Sequence, residues 1–63
     1  MKLYEYCGKQ VKITLDEDEF IVGKCMEFTK AIYNDPEIAS IDVKVKGDIY
    51  EIYENEIKKI EIV

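Results

Sequence analysis

The sequence predicts an all-β domain, a small barrel or sandwich of five short strands. Three observations predict it. Apolar residues alternate with polar ones in period two, as where Val11, Ile13 and Leu15 alternate with Lys12 and Thr14; that is the period of a strand with one packed face and one wet face. Turn signals recur at short intervals, at Asp16-Glu17-Asp18-Glu19, Asn34-Asp35-Pro36 and Gly47-Asp48. The five runs between them fit one domain, residues 1–63, at a spacing too close for a parallel sheet.

Taken in order, Met1 to Cys7 places Leu3, Tyr4, Tyr6 and Cys7 at a spacing that fits one or two helical turns stopped by Gly8, or an irregular lead-in strand. The short helical turn is the preferred reading. Strand one runs from Lys9 through Leu15, and the four acids that follow form a polar turn. Phe20 to Phe28 is a longer second strand in which Ile21, Gly23 and Cys25 share one face. Phe28 is out of phase by one residue, so a bulge near Met26 is expected to return it to the core. Gly23, with no side chain, is expected where the sheet folds closely over itself.

Thr29 to Glu37 reads as strand end and loop. Strand three is expected at Ile38 to Lys46, with Ile41, Val43 and Val45 opposing Asp42, Lys44 and Lys46. Gly47-Asp48 is the expected hairpin turn, and strand four spans Ile49 to Tyr53 with Tyr50 and Ile52 on one face. Glu54-Asn55-Glu56 has room for a single 3₁₀-like turn. Ile57, Ile60 and Ile62 then mark strand five.

Composition excludes several function classes. A chain of 63 residues buries only about 60% of the surface its unfolded form exposes, so its core is small and a partner would help it. Two cysteines, Cys7 and Cys25, form neither a CxxC pair nor a cluster with histidine, so neither a disulfide scaffold nor a zinc site is indicated. Two reduced thiols in a cytoplasmic protein are expected. No apolar run reaches the roughly 20 residues needed to cross a bilayer, and MKLYEYCGK lacks the apolar stretch of a signal peptide. The net charge is −5 and all nine basic residues are lysine, with no Arg, His or Trp. The guanidinium fork used on phosphates is therefore missing, as is the commonest general base.

The opening hairpin resembles the Sm-like (Sm/LSm) family of small SH3-like barrels. Leu3, Gly8, Val11, Ile13, Leu15, Gly23, Cys25 at a position usually held by leucine, and Phe28 match that family's first motif over roughly a third of the chain. The resemblance implies a five-stranded SH3-like (Sm-like) barrel with a short N-terminal helical turn. It also implies self-association through strands four and five, which pair between neighbouring subunits of that family to close a ring, and RNA as ligand. The family's RNA-binding residues are replaced here. Thr29 stands where an Asp is expected, Tyr33 where an Asn is expected with Asn34 one step late, and the loop before strand five is Glu54-Asn55-Glu56 without an Arg-Gly. An anionic loop disfavours phosphates.

The remaining constellations are read against their simplest alternatives. Asp16-Glu17-Asp18-Glu19 is a solvated turn, because consecutive acids in a hairpin diverge instead of converging on a cation. No metal or cofactor is expected. Glu51/Glu54 and Glu54/Glu56 are paired carboxylates, but with no nucleophile or histidine they predict no enzyme. Among the aromatics Tyr33 is the candidate for stacking on a base, with Lys30 and Asn34 beside it and Asn55 in the later loop. Phe28 and Tyr50 are expected in the core or an interface. Ile49, Ile52, Ile60 and Ile62 are the candidate oligomer edge, which Lys58 and Lys59 partly guard. The sequence thus predicts a non-enzymatic Sm-like binding module, as a homo-oligomer with RNA the ligand the resemblance implies. The alternative is a protein-interaction or structural assembly domain that binds no nucleic acid.

Overall fold

A computed structural model describes residues 2–63, so of the N-terminal stretch Met1 lies outside the described residues. Five antiparallel strands form one open sheet: β1 (Gln10–Asp16), β2 (Glu19–Thr29), β3 (Ser40–Val45), β4 (Asp48–Tyr53) and β5 (Lys59–Ile62). Their spatial order is β4-β3-β2-β1-β5, so β4 and β5 are its two edges. The all-β expectation holds, with helical content limited to 3₁₀ turns at Leu3–Tyr6, Ala31–Tyr33 and Glu54–Glu56. The first and third of these were expected; the second falls inside the expected loop.

The alternation read in the sequence sets the two faces. Val11, Ile13, Cys25, Ile41, Val43 and Ile52 point inward and are buried, joined by Leu3 from the first 3₁₀ turn and Ile57 from the end of the last. Lys12, Lys24, Lys44 and Glu61 occupy the alternate, outward positions of the same ladders. Burying aliphatic side chains at about 25 cal/mol per Å² is the main driving force for closing this face.

Met26 is the bulge. The β2–β3 ladder runs Lys24↔Lys44 and Cys25↔Val43, then resumes at Glu27↔Asp42 and Phe28↔Ile41. One extra residue in β2 restores Phe28 to the inner face, where it packs against the core and meets Tyr4 edge to face at 6.0 Å. Gly23 is the close approach. A Cβ there would lie 2.5 Å from the Lys44 carbonyl oxygen, 2.8 Å from Val45 Cγ2 and 2.9 Å from Val43 Cγ1.

Most strand ends shift by a residue from the expectation, with Asp16 and Glu19 paired inside the first hairpin, and three differences change what a residue does. The second hairpin turns on Lys46 and Gly47, not on Gly47-Asp48, since Val45 pairs with Asp48. Both turn residues have positive φ, 51° and 90°, as the tightest hairpin turn requires. β3 begins at Ser40, not Ile38, because the Ile38 N–H donates to the Pro36 carbonyl (2.8 Å) and holds that residue in the loop. β5 begins at Lys59, not Ile57: the Ile57 N–H closes the 3₁₀ turn onto Glu54 O (3.1 Å), and its side chain drops into the core.

Candidate functional site

The loop between β2 and β3 carries three of the four predicted ligand contacts. Lys30 precedes the 3₁₀ turn Ala31–Tyr33 and is exposed. Tyr33 is 75% exposed and its neighbour Ile32 is 68% exposed, so an aromatic ring and an aliphatic side chain stand in solvent in the same short turn that Lys30 precedes.

Asn34 is employed differently. Its amide nitrogen donates to the Ile38 carbonyl (2.7 Å) and to Ser40 Oγ (3.0 Å), and Ser40 Oγ in turn donates to Glu51 Oε2 (2.9 Å). Ser40 is fully buried. This chain of hydrogen bonds ties the loop to β3 and β4, and no buried side-chain nitrogen or oxygen among the described residues lacks a partner. Sequence reasoning missed Ser40 and its bond to Glu51, because the hydrogen-bonded partners lie 6 and 11 residues apart, beyond any local pattern.

Asn55, the fourth predicted contact, sits exposed in the last 3₁₀ turn. The Glu54 N–H donates to Ala39 O at 2.8 Å, and the Tyr53 N–H donates to Glu56 Oε1 at 2.9 Å. The Asn55 turn is therefore held against the segment that leads into β3. The two predicted loops converge on one end of the sheet.

The predicted edge residues divide. Ile49 on β4 and Ile62 on β5 are 60% and 57% exposed. Ile60 is half-buried against the core. Ile52 is only 5% exposed, because it points inward opposite Ile41; it belongs to the core instead of the edge surface. Tyr50, expected in the core or an interface, is half exposed on the inner face of β4. It borders a groove of about 310 Å³ lined also by Leu15, Ile21, Val45, Glu51, Ile52 and Glu56.

Electrostatically the site is anionic. Glu27, Asp42 and Glu51 lie in one cross-strand row. Burial, reinforced by the charges of Glu51 and Glu27, raises the Asp42 carboxyl above its usual 3.8. In the first hairpin Asp16 is held low, chiefly by the Glu17 N–H it accepts (2.8 Å) and then by Lys58 (3.4 Å). Among the described residues no three His, Cys, Asp or Glu are placed to hold a metal ion. The buried Cys25 thiol is pushed up to about 12, first by burial and then by Cys7, so at neutral pH it is not a nucleophile.

The arrangement offers exposed apolar and aromatic surface, free strand edges and one apolar groove. No described helix is long and apolar enough to cross a membrane. No protein-family model, curated protein or solved structure matches this chain.

Proposed function

We propose that this chain is a non-enzymatic Sm-like binding module that assembles as a homo-oligomer, β4 of one copy pairing with β5 of the next. The observation that carries this reading is that the sheet ends in β4 and β5, each bearing exposed apolar residues: Ile49 and Tyr50 on one, Ile62 and then Val63 on or just past the other. Unpaired edges are templates for another strand. A β5 added beside β4 would turn its inner-face residues, Ile60 and Ile62, toward the groove lined by Leu15, Ile21, Val45, Tyr50 and Ile52. Contact between two different edges is head to tail, so it generates a ring when the rotation closes. The bulge at Met26 and the tight approach at Gly23 support this reading, since such features bend a sheet as a small barrel needs. Without Cys–Cys bonds and with both thiols free, the chain suits the reducing cytoplasm.

The experiment is light scattering on the wild type and on Ile62→Pro. The Val63 N–H donates to Gln10 O (3.0 Å), so in an antiparallel ladder the Ile62 N–H points away from β1 toward the free side. Proline there removes an edge donor without touching the β1 ladder. The reading predicts an oligomer that Ile62→Pro breaks down; a wild type that stays monomeric at high concentration overturns it.

RNA is the second reading, favoured by the solvent-exposed Tyr33 ring with Lys30 close in sequence. Its test is fluorescence anisotropy with short A-rich and U-rich RNAs. Binding at low salt that Tyr33→Ala abolishes supports it, and no binding at low salt eliminates it, leaving assembly without nucleic acid.

A further inference from the structure

The outward face of the sheet carries two adjacent rows of like charge. In the first, Lys24 of β2 lies directly opposite Lys44 of β3. In the second, Glu27 of β2, Asp42 of β3 and Glu51 of β4 lie side by side. On β3 the rows are two residues apart, about 7 Å along the strand. Like charges directly opposite one another destabilise a sheet, so each row is a cost to the isolated chain.

Neither lysine relieves it internally. The ion pairs between described side chains are Lys58–Asp16 at 3.4 Å and Lys59–Glu61 at 3.8 Å, and neither includes Lys24 or Lys44. Glu51 is committed to Ser40 Oγ, whereas Glu27 and Asp42 meet only other carboxylates across their ladders. Between the rows the Met26 bulge exposes an apolar side chain, 41% accessible, in the middle of a charged surface.

We infer that this outward face is a docking surface for the same face of a second copy, related by a two-fold axis that runs between the basic and acidic rows. A rotation about that axis exchanges the rows. It sets Lys44 of one copy over Asp42 of the other and Lys24 over Glu27, each contact occurring twice by symmetry. Met26, lying on the axis side of both rows, meets its own counterpart. The two self-repelling rows become four opposite-charge contacts around an apolar centre. This pairing uses the face of the sheet and not its edges, so it is independent of the β4–β5 assembly and would join two such assemblies back to back.

The test is sedimentation velocity on the full chain in the Ile62→Pro background, which removes edge pairing. Two charge-reversal doubles, K24E/K44E and E27K/D42K, are run alone and mixed. The inference expects a dimer for the background chain, weakened by 0.5 M salt and weakened about tenfold or more by either double alone. Mixing the doubles restores a one-to-one dimer, a result that misfolded variants could not give. A background chain that is monomeric at all concentrations, or doubles that dimerise alone as well as the parent does, overturns it. Loss of edge assembly in the wild type leaves this outcome unchanged, so failure of the two readings is distinguishable.

Discussion

Replacing Gly23 by alanine adds one methyl group where the fold leaves no space. Its Cβ would stand 2.5 Å from the Lys44 carbonyl oxygen and under 3 Å from methyl groups of Val45 and Val43. The two valine methyls can rotate away at modest cost, but the carbonyl belongs to the β3 backbone, so β2 and β3 must separate. Overpacking of this kind costs about 1–3 kcal/mol, and the upper part of that range applies because backbone must move. Alanine recovers roughly 0.5–1 kcal/mol by restricting the unfolded chain. The net loss is about 2 kcal/mol, and for a domain of 63 residues that lowers the melting temperature by roughly 8–16 °C. The assay is thermal unfolding by circular dichroism at one protein concentration. Glu37→Ala, an exposed loop position, should stay within about 0.5 kcal/mol of wild type. A Gly23→Ala chain that melts at or above the wild-type temperature refutes the tight β2–β3 approach.

Lys46 holds a positive φ of 51° in the second hairpin, a conformation asparagine tolerates far better. Lys46→Asn should therefore stabilise the domain by about 0.5–1 kcal/mol in denaturant titration. Asp42 opposes Glu27 and Glu51, so Asp42→Asn should gain a few tenths to about 1 kcal/mol at pH 7. Because the folded carboxyl is raised, the native state holds its proton more tightly than the unfolded state. That gain should shrink as pH falls through the raised value and be absent below the usual 3.8. Cys25 is pushed up to about 12, so the unfolded thiol ionises first, and stability should decline as pH rises above about 8.5, the ordinary thiol value. Iodoacetamide at pH 8 should accordingly modify Cys25 only after denaturation, as mass spectrometry would read.

The parts of this fold that were legible in the sequence are those written in local periodicity. Val11-Lys12-Ile13-Thr14-Leu15 declares its two faces through side-chain alternation, and the one-residue slip between Cys25 and Phe28 declares a bulge. Gly23 was legible because only a missing side chain explains glycine amid a packed strand. The misplaced turn at Lys46-Gly47 has a physical reason: glycine marks that the chain reverses, but a lysine in left-handed conformation gives no compositional signal. Ile57 continues an apolar spacing and so looks like strand, whereas its backbone closes a 3₁₀ turn and its side chain alone joins the core. Of the candidate site, the exposure of Tyr33 and Lys30 followed from their loop composition. The Asn34–Ser40–Glu51 chain did not, since it joins residues brought together only by β3–β4 pairing. The charged rows were also invisible until the register set Lys24 against Lys44 and Glu27 against Asp42.

Amide hydrogen exchange along β4 and β5, followed by NMR as protein concentration is raised, tests the edge-pairing account most directly. Amides that point away from β3 and from β1, the Ile62 N–H among them, should exchange freely in dilute solution and gain protection on assembly, because each then donates to a neighbouring copy. Edge amides that remain unprotected at every concentration, while the β1, β2 and β3 amides stay protected, would contradict it.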